Sequence, residues 1–174
     1  MAEPSKHTIN NEYKWYAVYT RQNHEKKVEE LLQEKNIEVF LPKRKTLRKW
    51  SDRKKWVEEP LFRPYVFVNI SNKEYFKVLQ TPSVKNYICF EGRAAQIQDN
   101  QIELLKRIIS EKFDFEIYHN PIYATQKVKV IQGPFYGQSG EVEKKNGKSR
   151  FLIKIDQLNC SIIIDIDQKC IVPL

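Results

Sequence analysis

The run Tyr65-Val66-Phe67-Val68-Asn69-Ile70 constrains this chain more than any other stretch. It is apolar, aromatic or β-branched at nearly every position, the composition of a strand covered on both faces. The approach to it, Glu58-Glu59-Pro60-Leu61-Phe62-Arg63-Pro64, holds two prolines, and each biases the residue before it toward extended backbone. Ser71 then stands three residues before Glu74, ahead of Tyr75, Phe76, Val78 and Leu79, which is the spacing of a capping box. A buried strand approached through a proline corner and left into a helix belongs at the centre of a sheet with helices packed on it.

The flanking segments fit that picture. Lys14–Thr20, with Trp15, Tyr16, Val18 and Tyr19, predicts a first strand. Arg21-Gln22-Asn23-His24 is a turn with Asn23 placed as an N-cap. Val28, Leu31 and Leu32 make an apolar stripe along Glu25–Lys35, an amphipathic helix that Asn36 ends. Ile37–Pro42 is expected as a strand, Asn72–Gln80 as a second helix and Val84–Phe90 as a further strand. A third helix starts at Asp99 or Asn100 and carries Ile102, Leu105, Ile108 and Ile109 at helical spacing. The fold class is therefore α+β, one mostly antiparallel sheet with about three helices on it.

After Tyr123 the pattern changes to short β segments at 127–131, 140–143, 151–155, 161–165 and 169–172, with Asn146-Gly147 as a type I′ hairpin signal. Five short strands suggest a small closed barrel, because closure hides sheet edges. Gly133, Gly137 and Gly140 permit a tight loop in which Phe135 plugs the barrel end. The expected organisation is a disordered polar tail over 1–13, a first domain over 14–112, a linker over 113–123 and an all-β domain over 124–174.

The net charge of +8 is concentrated. Lys43–Lys55 holds Lys43, Arg44, Lys45, Arg48, Lys49, Arg53, Lys54 and Lys55 against Asp52 alone. Such a strip, a long hairpin or mobile arm, points to nucleic acid, whose phosphates attract the cations. Trp50 and Trp56 interleave with the basics and offer faces for base stacking. The bland alternative is a solvated loop, in which exposed tryptophans have no use.

Cys89, Cys160 and Cys170 lack any Cys-x-x-Cys spacing and are expected to be reduced packing residues. His7, His24 and His119 are scattered, so no metal site and no cofactor are expected. No apolar run approaches the roughly 18 residues that span a bilayer, and Met1–Lys14 lacks the apolar centre of a signal peptide. The expectation is a cytoplasmic protein with no membrane partner. No nucleophile elbow or phosphate loop is present, and His24 beside Glu25 on a helix is poorly placed as an acid–base pair. No catalytic residue is expected.

Pro60–Val68 resembles the central-strand approach of the NusG family of transcription elongation factors. Trp15-Tyr16 opens a first strand as in that family, and Lys129–Val142 is similar to its KOW motif. The resemblance runs from Lys14 to the end. It implies an N-terminal NGN domain, a C-terminal SH3-like KOW domain and a binding protein in place of an enzyme. It implies that the first domain sits on the clamp of RNA polymerase, with Phe62 and Tyr65 in the docking surface. Arg21, Gln22, His24 and Lys27 would face the non-template DNA strand. Lys43, Arg44, Lys45, Arg48, Lys49 and Trp50 of the arm would also contact nucleic acid. The KOW domain would reach a ribosomal protein or a termination factor, and the protein would be a monomer. Glu59-Pro60-Leu61-Phe62 is most similar to the specialised antiterminators of RfaH and UpxY type, which act on particular operons such as those for capsular polysaccharide. The alternative reading is a KOW-containing ribosomal or ribosome-assembly protein that binds RNA.

Overall fold

In a computed structural model the described residues are 12–49, 52–111, 113–118, 125–145 and 148–174. The chain divides into two compact units between Ser110 and Glu111.

In the first unit, β1 (Lys14–Thr20) leads to α1 (Glu25–Glu34) and β2 (Glu38–Phe40). A hairpin follows, β3 (Lys43–Lys49) and β4 (Lys54–Pro60), then β5 (Tyr65–Ile70) and α2 (Tyr75–Leu79). Short strands β6 (Val84–Tyr87), β7 (Cys89–Phe90), β8 (Arg93–Ala94) and β9 (Gln96–Ile97) precede α3 (Asp99–Ser110). The main sheet runs β2-β5-β1-β6, with β9 also paired to β1. β5 is interior and antiparallel to both neighbours. Val66, Phe67 and Val68 are fully buried, as the unbroken apolar run requires.

Side chains alternate across this sheet. Val18, Val66, Val68 and Ile70 form one core with Val28 and Leu32 of α1 and Val78 of α2. Tyr87 joins it; its hydroxyl donates to the Tyr75 carbonyl at 3.1 Å, and burial pushes the phenol pKa up. The opposite face carries Trp15, Phe40 and Phe67. Lys106 of α3 lies over the Trp15 ring at 5.3 Å and the Phe40 ring at 5.9 Å, so α3 crosses that face.

Several expectations are corrected here. Asn23 is not a cap: it takes φ 62 in the left-handed region, and His24 occupies the N-cap position without a side-chain bond to the helix N-terminus. Asn36, at φ 57, does end α1, as left-handed asparagines do. α2 begins at Tyr75, not Asn72, because Ser71 N–H and Oγ–H both donate to the Glu74 carboxylate and hold residues 71–74 as a turn. The strand expected over Val84–Phe90 breaks at Ile88. Cys89 is exposed and is not a packing residue. Cys160 is buried, which pushes its thiol up to about 12.

The second unit is a six-stranded antiparallel path in the order β10 (Phe115–Tyr118), β14 (Cys160–Ile166), β13 (Lys148–Ile155), β12 (Ser139–Lys145), β11 (Gln126–Val130), β15 (Ile171–Pro173). Five of these strands match the expected ones within a few residues. The sixth, β10, comes from the segment read as linker. It pairs with β14 from Phe115↔Ile164 to Tyr118↔Ser161, so the linker reading fails there. The count is thus six in place of the expected five. Asn146-Gly147 and the 1–11 part of the tail lie outside the described residues.

Candidate nucleic-acid interface and docking face

The register of the sheet places Tyr19 of β1 directly opposite Tyr65 of β5. Both are half-buried, and their rings meet edge to face at 5.6 Å. Lys85 Nζ stands 5.3 Å above the Tyr19 ring. The pair continues the aromatic face of Phe67 and Phe40 but leaves part of each ring in water.

Phe62 is 1% exposed, with its ring edge against Phe67 at 5.9 Å. The corner folds it inward. Tyr65 N–H donates to the Phe62 carbonyl at 2.8 Å, and Thr20 N–H and Oγ–H both donate to the Pro64 carbonyl. The Arg63–Pro64 peptide is cis. A side chain held this way packs the core and offers no surface, so Phe62 is withdrawn as a docking contact. Tyr19 replaces it. The sequence signal for Tyr19 was its register against Tyr65, which needs the β1–β5 pairing to be known.

β1 delivers Tyr19 to this face and, two residues on, Arg21 to the adjoining loop. Arg21, Gln22 and Lys27 are exposed, and His24 is half-buried with Nδ1 3.0 Å from the Gln22 carbonyl oxygen. An open cleft of about 310 Å³ separates this loop from the base of the β3–β4 hairpin. Asn23, Glu25, Lys26, Arg48, Glu59 and Arg63 are among its lining residues. Arg63 reaches across toward Asn23 Oδ1 at 3.5 Å. Glu25 is buried, and its Oε1 has no hydrogen-bond partner.

The basic strip is a regular two-stranded ribbon from Lys43↔Pro60 to Lys49↔Lys54. Not all its cations are available. Lys43 Nζ is 2.8 Å from Glu29 and ties the ribbon to α1. Arg48 pairs with Glu59. Arg44, Lys45 and Lys49 are exposed, as are Lys54 and Lys55, and Trp56 is 65% exposed. Trp50 lies outside the described residues. The cleft thus lies between Asn23, Glu25 and Lys26 on one side and Arg48 and Val57–Pro60 of the ribbon on the other; Arg21, Gln22, His24 and Lys27 are not among its lining residues, and Lys43 and Arg48 are already paired with carboxylates.

In the second unit Gly133 and Gly137 take φ 85 and 83, as a tight glycine loop requires. Tyr136 N–H donates to the Gly133 carbonyl at 3.1 Å, and Gly137 N–H to the Val130 carbonyl at 2.9 Å. Phe135 is 4% exposed, with its ring 4.8 Å from Phe113, and Tyr136 projects outward. Gly140 abuts the Phe151 ring. Among the described residues no group of three or more His, Cys, Asp or Glu side chains is placed to hold a metal ion. No described helix is long and apolar enough to cross a membrane.

A family model described as transcription termination factor NusG matches residues 13–106. The transcription termination/antitermination protein NusG of Bacillus subtilis is 28% identical over 152 residues, 76% of this chain and 82% of the relative. The protein of the same description from Staphylococcus carnosus is 23% identical over 168 residues, 87% of this chain and 86% of the relative. A solved structure described as domain interaction in Thermotoga maritima NusG shares the fold. Its TM-score is 0.52 at 19% identity, and the match covers 94% of this chain and 98% of that one. The family match takes in more than half of the residues, including the sheet that carries Tyr19 and Tyr65, and the chain belongs to the NusG family.

Proposed function

We propose that this protein is a cytoplasmic transcription termination/antitermination factor that binds RNA polymerase in the elongation complex, and that it acts without catalysis. The observation that carries this reading is the presence in one unit of a half-buried tyrosine pair and a ribbon with exposed cations at Arg44, Lys45, Lys49, Lys54 and Lys55. Tyr19 and Tyr65 have the character of interface anchors, amphipathic aromatics that are half-buried at the rim of the sheet. In this reading the face around them docks on the polymerase clamp. Arg21, Gln22, His24 and Lys27, with Arg44, Lys45 and Lys49 of the ribbon, then face the non-template DNA strand. In this reading the first unit, up to Ser110, is the NGN domain and the second, from Glu111, the KOW domain, whose loop at Gly133–Gly140 helps present a surface to a ribosomal protein or termination factor.

A factor of this kind suppresses pausing by binding the elongating conformation of polymerase better than the paused one. No covalent chemistry is required. The Glu59-Pro60-Leu61-Phe62 corner and the concentrated ribbon charge favour operon-specific action of the RfaH and UpxY type. Phosphate contacts cannot supply that selectivity, so it comes from base or shape contacts.

The test is binding of the full chain to purified RNA polymerase core enzyme and, separately, to ribosomal subunits. The proposal expects binding to polymerase that falls by at least about tenfold in Tyr65→Ala and Tyr19→Ala, each with an unchanged circular dichroism spectrum. Capture by ribosomal subunits and not by polymerase would replace this reading with the ribosomal one.

A further inference from the structure

The β3–β4 ribbon has two unlike faces. Directly opposed residues share a face. One face carries Arg44↔Glu59, Thr46↔Val57 and Arg48↔Lys55; the other carries Lys45↔Glu58, Leu47↔Trp56 and Lys49↔Lys54. Arg48, Val57 and Glu59 of the first face line the cleft, with Glu58 and Pro60 of the second at the ribbon base, and Thr46 and Val57 are half-buried. The second face is open. Trp56 is 65% exposed and Leu47 is 46% exposed, side by side across the ribbon. They make an apolar step about 6.6 Å from Lys49 and Lys54 on one side and from Lys45 on the other.

Two features point to what this step meets. First, no ion pair among the described residues reaches Lys49, Lys54 or Lys55, and Lys45 has only Glu58 opposite it. Second, the open face opposes like charges at its tip, Lys49↔Lys54, whereas Arg48 on the other face, opposite Lys55, is already paired with Glu59. Directly opposed like charges destabilise an antiparallel pair. A polyanion relieves that repulsion, and a polyanion whose apolar faces are accessible also covers the indole. Single-stranded nucleic acid has both properties, phosphates for the lysines and free base faces for the tryptophan. A duplex keeps its base faces stacked away.

We propose that the open face of the ribbon is a base-stacking platform for single-stranded nucleic acid. Trp56 and Leu47 lie under one base, and Lys45, Lys49 and Lys54 neutralise flanking phosphates. This deepens the reading of the chain as a factor working beside an exposed DNA strand, and it assigns the stacking role to Trp56.

The test uses the full chain and a fluorescently labelled single-stranded oligothymidylate, with binding read by anisotropy across a salt series. Trp56→Ala is expected to weaken binding about tenfold with the salt dependence unchanged, and Trp56→Phe to retain most of the affinity. Lys49→Ala with Lys54→Ala is expected to lower the log–log salt slope by about 1.4, or about 0.7 for each lost cation. The same strand annealed to its complement should bind without dependence on Trp56. Trp56 is exposed, so these variants should keep the parent circular dichroism spectrum. Unchanged strand binding in Trp56→Ala, equal loss in Trp56→Phe, or the same loss on the duplex would each overturn the platform. A Trp56→Ala protein that binds the strand normally but no longer binds polymerase core would make the face a protein dock. Trp56-dependent strand binding in a chain that does not bind polymerase would refute the proposed function and leave the platform standing.

Discussion

Replacing Phe62 by alanine separates packing from docking at the proline corner. The side chain is 1% exposed and lies edge-on to Phe67, which is fully buried. Truncating a buried phenylalanine to alanine destabilises by about 3–5 kcal/mol, since transfer and cavity terms add. A domain of this size is stable by about 5–15 kcal/mol, so the change removes a large share of what holds the first unit together. At roughly 4 °C per kcal/mol or more, the midpoint of its thermal transition falls by about 12 °C at least. Tyr65 is only half-buried and meets Tyr19 at the rim, so Tyr65→Ala should move the midpoint much less while weakening polymerase binding. Scanning calorimetry of the three full-length proteins, with polymerase binding measured below the transition, gives both readouts. The reasoning is refuted if Phe62→Ala unfolds with the parent protein while losing polymerase binding. Phe62 would then be a surface anchor, and the packed corner described here would be wrong.

Three further outcomes follow from other parts of the molecule. A Cβ on Gly140 would lie 2.6 Å from two carbons of the Phe151 ring and 3.0 Å from the Leu152 carbonyl oxygen. Phe151 is fully buried, so Gly140→Ala should destabilise the second unit by about 1–3 kcal/mol in urea unfolding, and adding Phe151→Leu should recover part of the loss. The Glu141 carboxyl is held below the usual carboxylate range by the Lys154 hydrogen bond at 2.7 Å and by Thr125. Its depressed pKa contributes stability above the ordinary value of about 4.3, and that contribution is lost as pH falls through the depressed value, so Glu141→Gln should flatten the acid limb of the urea midpoint. An acid limb of parent steepness would remove this role. Transcription in vitro over a long operon with its own leader, and with that leader replaced, should show read-through enhanced only with the native leader; equal read-through on both would make the factor a general one.

How much was legible depended on how local the cause was. β5 and α3 were readable because their patterns are long and regular: Val66–Val68 are buried on both sides, and Ile102, Leu105 and Ile108 all face inward. The ribbon was readable as a density of charge. Which of its cations are already paired was not, since Lys43–Glu29 joins elements 14 residues apart. Phe62 looked like a surface aromatic because its partner, Phe67, lies within the next strand and only the folded corner brings the rings together. Asn23 has the chemistry of a cap and the backbone freedom of a left-handed residue, and the turn used the second. Phe115–Tyr118 has too few residues to show a period, and its pairing partner β14 lies more than forty residues on, so a strand passed for a linker.

Cryo-EM of the full chain bound to a bacterial elongation complex tests the central claim most directly. The account predicts the first unit on the polymerase clamp, with Tyr19 and Tyr65 against protein and the Arg21–Lys27 loop and the ribbon beside the non-template strand. A bound chain that turns the Tyr19–Tyr65 face to solvent, or one that leaves the non-template strand untouched, would contradict it.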